Sequence, residues 1–395
     1  MAVEDRFNDI LLLQSKIEEL NESDLNNAED EIKREFSKFF ICSLLPLVDH
    51  LPYLAISPHL PRVFDFNPGE MLLLISPAAS GKTLGGMWLT KLIPNLVWEQ
   101  HVTAAYTEGI HDGSSTALEK WNRSVVFINE ANLFDSKNEN LRRVIRAVAD
   151  EGIVAKGSVF AKVVVTKTFG RVSTALIVNT AEAQVLKNQD VSRYVFYSWK
   201  PTLEEILAVE RNIAKLDLDK QCKSPIIFAA LIRELEEKLQ KIKELDQLRN
   251  REYEEELAAK FVEMYKEKTG NSELAENHFG INRAIKFGKR RLFSSAALHM
   301  HKRGDLVLDD KDLKNSIQLM DFFMDNFLKN VGREFADNPR TSRNEIRAFK
   351  TGWMLSENKH WLGLLKKDEI AKRLGVSRQT LWRYLQSVNE DDENG

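Results

Sequence analysis

The stretch Ser76-Pro77-Ala78-Ala79-Ser80-Gly81-Lys82-Thr83 combines small residues with a terminal lysine and hydroxyl. That combination suits polyphosphate chemistry. Successive backbone N–H groups, here from Ser76, Ala79, Ser80 and Gly81, can turn toward a phosphate; Lys82 can reach the β/γ oxygens and the Thr83 hydroxyl can hold Mg²⁺. Serine stands at Ser76 where the usual loop begins with glycine, and Pro77 after it implies an altered backbone path.

Four features downstream could complete a phosphoryl-transfer site. In Val125-Val126-Phe127-Ile128-Asn129-Glu130, Glu130 can polarise an attacking water, while Asn129 takes the metal-side position and offers only an amide oxygen to Mg²⁺-bound water. Asn179, closing Ala175-Leu176-Ile177-Val178, can orient that water and the γ-phosphate. Arg193 is placed to reach outward across a subunit boundary, and an arginine supplied in trans contributes roughly 10³ to 10⁵ in rate. Arg283 and Arg290 could close over the phosphates. Taken singly, Asn129-Glu130 reads equally as a turn, Asn179 as a strand-end cap and Arg193 as a surface charge paired with Asp190. Their ordered succession behind one loop favours the chemical reading.

Positioning these groups requires strands ending at one edge. Met71–Ile75 is a charge-free apolar run that reads as a strand buried on both faces, and Leu84–Ile93 reads as the helix after the loop. Further strands are expected at Val102–Tyr106, Val125–Asn129, Ala175–Asn179 and Tyr194–Ser198, alternating with helices as in a mostly parallel sheet. β-rich residues around Gly157 and Gly170 predict a hairpin before the fourth strand. Lys156, Lys162, Lys167 and Arg171 give it positive charge, available to DNA phosphates or simply solvated.

Before this core, Asp9–Leu44 reads as two helices interrupted at Asn21–Asn27, and Pro46, Pro52, Pro58 and Pro61 mark an irregular connector. After it the chain turns helical. Ile226–Lys268 reads as a projecting helical arm or as a solvated helix packed on its own domain. The implied organisation is an N-terminal helical extension and connector (1–60), a nucleotide-binding core (61–201), a helical lid with a possible arm (202–330), a helix-turn-helix or winged-helix module (331–388) and an acidic tail (389–395), expected to be disordered.

The terminal module rests on Lys366 to Leu385, which reads as two short helices around a Gly375 turn, packed through Ile370, Ala371, Leu374, Val376, Leu381 and Leu385. Arg378, Gln379, Thr380 and Arg383 would project from the second helix toward a DNA major groove, although such modules also serve protein contacts.

The succession of loop, hydrophobic strand with acid, Asn-bearing strand, arginine and helical segment resembles the AAA+ ATPases. Leu118-Glu119-Lys120-Trp121 through Val178-Asn179-Thr180, with Asp150-Glu151-Gly152-Ile153-Val154-Ala155-Lys156-Gly157 leading into the hairpin, is similar to the minichromosome-maintenance helicase branch. Ser192-Arg193-Tyr194 resembles its arginine finger, and Ser295–Leu319 its lid. The likeness runs from about Gly69 to Leu328. It implies a P-loop AAA+ core with an all-α lid, ATP and Mg²⁺ as ligands, and a homo-oligomeric, hexameric ring with shared ATP sites. Ser76 and Asn129 depart from the family pattern, and the lid arginine has no unique candidate.

Composition sets outer limits. The 395 residues carry 56 basic and 59 acidic side chains, so any nucleic-acid contact must come from local patches rather than an overall positive field. Cys42 and Cys222 show neither metal-ligand nor disulfide-framework spacing. No apolar run approaches a membrane span and the acidic N-terminal stretch has no signal-peptide pattern, so a cytoplasmic location is expected. The leading expectation is an ATP-hydrolysing DNA helicase or translocase. Its rivals are an ATP-dependent DNA-binding initiator, loader or transposition regulator without unwinding activity, and a scaffold whose altered loop no longer turns nucleotide over.

Overall fold

Met71-Leu72-Leu73-Leu74-Ile75 forms β1 (Met71–Ile75), paired on both sides within a five-stranded sheet. The other strands are β2 (Leu96–Glu99), β3 (Ser124–Ile128), β6 (Thr174–Thr180) and β7 (Val195–Ser198), and the spatial order is β2-β3-β6-β1-β7. Every pairing is parallel. Buried parallel strands have no solvated face, which is why β1 is apolar throughout and β3 and β6 carry the apolar runs Val125–Ile128 and Ala175–Val178. The computed structural model describes residues 16–64, 66–75, 82–94, 96–99, 102, 117–129, 139–150, 154–160, 163–169, 172–180, 192–198, 205, 208, 212, 222–242, 244–330, 364–373, 377–379, 381, 382 and 385.

The second strand differs from its expected place. Leu96–Glu99 takes the edge position beside β3, with Trp98 set against Phe127 at 5.0 Å between ring centroids, whereas Val102 is outside any strand. Residues 103–106 lie outside the described residues. A separate antiparallel pair, β4 (Val154–Phe160) and β5 (Val163–Phe169), provides the expected hairpin.

Helices flank the sheet. α1 (Glu22–Asn26) and α2 (Ala28–Phe36) precede it. Glu22–Asn26 is helical rather than an interruption because Asn21 accepts from the Asp24 amide at 2.9 Å and Asp24 accepts from the Asn21 amide at 3.4 Å, a reciprocal cap. The proline-marked connector also folds. A 3₁₀ helix at Cys42–Asp49 leads into α3 (Leu51–Ile56), whose six residues are all buried, and Pro52 sits in the first turn, where its missing N–H costs nothing.

α4 (Lys82–Leu92) follows the loop. A Cβ at Gly86 would come within 2.6 Å of the Phe127 ring and 2.7 Å of Trp98, so glycine lets this helix lie directly on β2 and β3. α5 (Ala117–Trp121) and α6 (Glu139–Asp150) complete this region. The remaining long helices are α7 (Ser224–Leu239), α8 (Arg251–Thr269), α9 (Arg283–Arg303) and α10 (Asp310–Asn330). Ile227, Phe228, Leu231 and Leu235 of α7 and Leu257, Met264 and Tyr265 of α8 are buried in the main core, so this segment packs on its own domain and does not project as an arm.

The chain divides into two units, 1–332 and 333–395. In the second, α11 (Lys367–Arg373) buries Ile370 and Ala371 against Leu381, with Leu365 and Leu385 alongside.

Candidate functional site

The register brings the carboxyl ends of the strands to one edge: Ile75 lies opposite both Thr180 and Ser198, Ile128 opposite Val178, and Glu99 opposite Ile128. From β1 the chain crosses to β2 on one flank, and β7 lies on the other. Such a reversal of strand order opens a crevice at the carboxyl edge, the usual ligand position in open parallel sheets. β1 ends at this edge, at Ile75. Ser76, Ala79, Ser80 and Gly81 lie outside the described residues, as do the side chains of Lys82 and Thr83. What is described is the frame: a strand ending at Ile75 and a helix that begins at Lys82.

Two carboxamides meet at the same edge. Asn129 directly follows β3, and its N–H donates to the Glu99 carbonyl at 2.9 Å. Asn179, opposite Leu74 in the β1 register, is 1% exposed and donates through Nδ2 to Asn129 Oδ1 at 3.0 Å. Asn179 Oδ1 is buried with no hydrogen-bond partner among the described residues. An unsatisfied buried acceptor costs about 1–3 kcal/mol, and a water held there would remove that cost. This end of Asn179 therefore suits the role of orienting water. Asn129 Oδ1 keeps one further lone pair, enough to accept from a metal-bound water but a weaker electrostatic partner than a carboxylate. Glu130 lies outside the described residues.

Sequence reading missed a buried acid nearby. Glu99, closing β2, is 8% exposed and accepts the Trp121 indole N–H at 3.0 Å. An acid ending a short apolar run is the only signal it leaves.

The arginines occupy the other edge. Arg193 lies just before β7 and binds Asp150, the last residue of α6, through Nε at 2.9 Å and Nη2 at 2.7 Å. Arg283, the first residue of α9, binds both oxygens of the same carboxylate, with Nη2 at 3.2 Å from Oδ2. Burial pushes the Asp150 carboxyl up, but the Arg283 hydrogen bond and the Arg283 and Arg193 charges outweigh this and hold it below its ordinary range. Arg290 is 4% exposed and donates to the carbonyls of Asn67 at 2.9 Å and Ala149 at 2.6 Å.

Asn67 fixes which edge this is. It is fully buried, accepts the N–H groups of Gly69 and Thr174, and donates to the carbonyls of Val148 and Thr174, so it ties the amino ends of β1 and β6 to the end of α6. A Cβ on Gly69 would lie 1.9 Å from the Thr174 carbonyl oxygen, so only glycine permits this junction. A five-residue strand spans roughly 16 Å, so Arg193, Arg283 and Arg290 are separated by about that distance from the carboxyl end of β1. Arg283 and Arg290 are thus not placed to close over phosphates held there. Arg290 instead satisfies backbone carbonyls.

The same helix is anchored to the sheet one residue further on. Arg291 binds Glu70 through two 2.8 Å hydrogen bonds, and both residues are buried. Ser294 adds a 3.1 Å bond to Glu70.

In the hairpin, Lys156 lies directly opposite Lys167. Lys162 and Arg171 lie outside the described residues. In the second unit, Arg378 is exposed and lies 3.2 Å from Asp368, and Gln379 is exposed. Thr380 and Arg383 lie outside the described residues.

Among the described residues, no group of three or more His, Cys, Asp or Glu side chains is arranged to hold a metal, and no helix is long and apolar enough to cross a membrane. Comparison with protein-family models gives no matching family, and comparison with curated proteins gives no match.

Proposed function

We propose that this chain is an ATP-hydrolysing, DNA-acting motor of the P-loop AAA+ type whose catalytic site is shared between copies of the chain. The observation that carries this reading is the division of the candidate groups between two edges of one sheet. Asn129 and Asn179 meet at the carboxyl edge, where β1 ends, while Arg193 lies at the amino edge. No single chain can bring both sets to one phosphate, and a ring that sets one edge against the other in the next copy can.

In this site the backbone of residues 76–81 and Lys82 hold the β- and γ-phosphates. Thr83 and, through water, Asn129 would hold Mg²⁺, which when bound would neutralise charge developing on the phosphates. Glu130 takes the proton of the attacking water, and Asn179 fixes that water in line with the γ-phosphorus. Near-attack positioning of this kind is a major source of rate in phosphoryl transfer. Arg193 from the adjoining copy meets the charge that builds on the transferring group.

DNA is the proposed track. Its support is the Lys156/Lys167 rung of the hairpin and the helical C-terminal unit with exposed Arg378 and Gln379. The test is ATP turnover with and without single-stranded DNA, together with strand displacement. Expected are DNA-stimulated turnover abolished by Lys82→Ala, and ATP-dependent unwinding. Turnover indifferent to DNA, with no displacement, would remove the motor reading.

A further inference from the structure

His299, on α9, has one ring nitrogen that is settled and one that is contested. Nδ1 lies 3.3 Å from Asp312 Oδ1 of α10. Asp312 is fully buried and also accepts from Arg303 at 2.6 and 3.1 Å and from the Asp309 N–H at 3.0 Å. Burial pushes its carboxyl up, but hydrogen bonds from His299, Arg303 and Ser295 outweigh this and hold it below its ordinary range. An ionised carboxylate can only accept, so Nδ1 keeps its hydrogen and the proton that comes and goes belongs to Nε2.

Nε2 sits in a triangle. Glu29 Oε2 of α2 lies 2.7 Å from it, Lys311 Nζ of α10 lies 2.8 Å from it, and Nζ and Oε2 are 3.0 Å apart. The three contacts cannot all be hydrogen bonds at once. With a hydrogen on Nε2, the ring donates to Glu29 but sets an N–H and a positive charge against an ammonium that has no acceptor. Without one, Nε2 accepts from Lys311 and faces the Glu29 oxygen lone pair to lone pair. The other Glu29 oxygen is taken by Lys33 at 2.8 Å and by the Tyr53 hydroxyl, so Oε2 is the atom for which His299 and Lys311 compete. The competitors differ in freedom. The His299 side chain is 9% exposed, whereas that of Lys311 is 55% exposed and can withdraw its ammonium into water.

We propose that Glu29 Oε2 changes hands with pH: the protonated His299 ring holds it while Lys311 stands out in water, and when the Nε2 proton passes to solvent the Lys311 ammonium moves in, bound to Glu29 and to the bare nitrogen together. α2 thereby stays tied to α9 and α10 through a titration that would otherwise break the tie. Among the described residues, the charged and titratable groups around the ring are Glu29 and Lys33 from α2, Tyr53 from α3, Arg303 from α9, Asp309 just before α10, and Lys311 and Asp312 within it. Lys33 and Arg303 reach the carboxylates, whereas Lys311 reaches the ring itself. Burial lowers the His299 pKa, hydrogen bonds to Asp312 and Glu29 outweigh it, and the Lys311 charge works against them, which sets the exchange above pH 6.5.

The test is NMR of the full chain with ring-labelled histidine and side-chain-labelled lysine, His299→Gln and Lys311→Ala identifying the two signals. In the wild type the Lys311 Cε methylene should be ordered above the His299 midpoint and as mobile as a solvated lysine below it. Lys311→Met keeps the stem and removes the charge and the competing donor, so His299 should bind its proton about tenfold more tightly, a rise of about one pH unit in its midpoint. Lys311→Ala should shift it in the same direction. A His299 midpoint unmoved in both Lys311 variants overturns the proposal. So does a Lys311 side chain whose order is the same on both sides of the midpoint, the result expected of a ring that merely senses a nearby charge.

Discussion

Asn179 gives its amide hydrogen to Asn129 Oδ1 over 3.0 Å and leaves its own buried oxygen without a partner among the described residues. The unpaired end of the chain of carboxamides is where a water would be held for attack. Asn179→Ala should therefore lower kcat by about a hundredfold, the usual effect of losing one preorganised polar group, and leave ATP affinity within a few-fold. Single-turnover kinetics with ATP binding measured separately would check it. Equal losses in binding and turnover would place Asn179 in ground-state contacts instead.

Asn129 bears on the metal. Asn129→Asp restores a carboxylate where only an amide oxygen stands, and the Mg²⁺ concentration for half-maximal turnover should fall several-fold. Titration of turnover against Mg²⁺ in the two proteins reads this directly, and an unchanged midpoint would remove Asn129 from the metal side of the site.

Glu70 and Arg291 join the start of β1 to the middle of α9 in full burial. Removing one partner strands the other charge, so Glu70→Ala should cost about 3–5 kcal/mol of stability. Urea unfolding followed by tryptophan fluorescence would measure it. A loss below about 1 kcal/mol would show that water reaches the guanidinium once the carboxylate is gone.

His299 of α9 lies between Glu29 of α2 at 2.7 Å and Asp312 of α10 at 3.3 Å, with Lys33, Lys311, Arg303 and Tyr53 around the two acids. Burial lowers the His299 pKa, but hydrogen bonds to Asp312 and Glu29 outweigh it and raise the pKa above 6.5. The folded state therefore holds this proton more tightly than the unfolded chain. Its contribution to stability is full below pH 6.5 and fades as pH rises through the folded value. His50 and His59 act in the opposite sense. Burial first, then nearby cations, push them down to about 3 and about 4, so stability is lost as pH falls from 6.5 toward those values. Denaturation of wild type and His299→Gln across pH 5 to 9 should show the alkaline decline flattened in the variant and the acid decline retained.

The Lys156/Lys167 rung predicts a salt effect. If both lysines meet phosphates, each alanine substitution should reduce the slope of log K against log salt for single-stranded DNA by about 0.7. Binding isotherms at several salt concentrations give the slope. Unchanged slopes would leave the hairpin face solvated.

Much of the sheet was legible in the residues themselves. Val125–Asn129 and Ala175–Asn179 stand within a residue of the observed β3 and β6, because a strand buried on both faces is apolar through its middle. Leu96–Glu99 was not, since four residues carry too short a pattern to compete with the equally β-rich Val102–Tyr106. Prolines misled in the connector, where Pro52 starts a helix. The arginine cluster was beyond reach for a different reason. Asp150 meets Arg193 and Arg283 across 43 and 133 positions of chain, and Glu70 meets Arg291 across 221. Nothing local distinguishes a charge that will be buried by such a partner from one that stays in water, and so Arg290, a carbonyl anchor, looked like a phosphate ligand.

The shared site is tested most directly by mixing two inactive proteins, Arg193→Ala and Glu130→Gln. Each should be without turnover alone. Mixed chains form interfaces in which an intact loop with Glu130 meets an intact Arg193, and ATP hydrolysis should return in proportion to those interfaces. A mixture as inactive as its components, under conditions where mixed assemblies demonstrably form, would contradict the account.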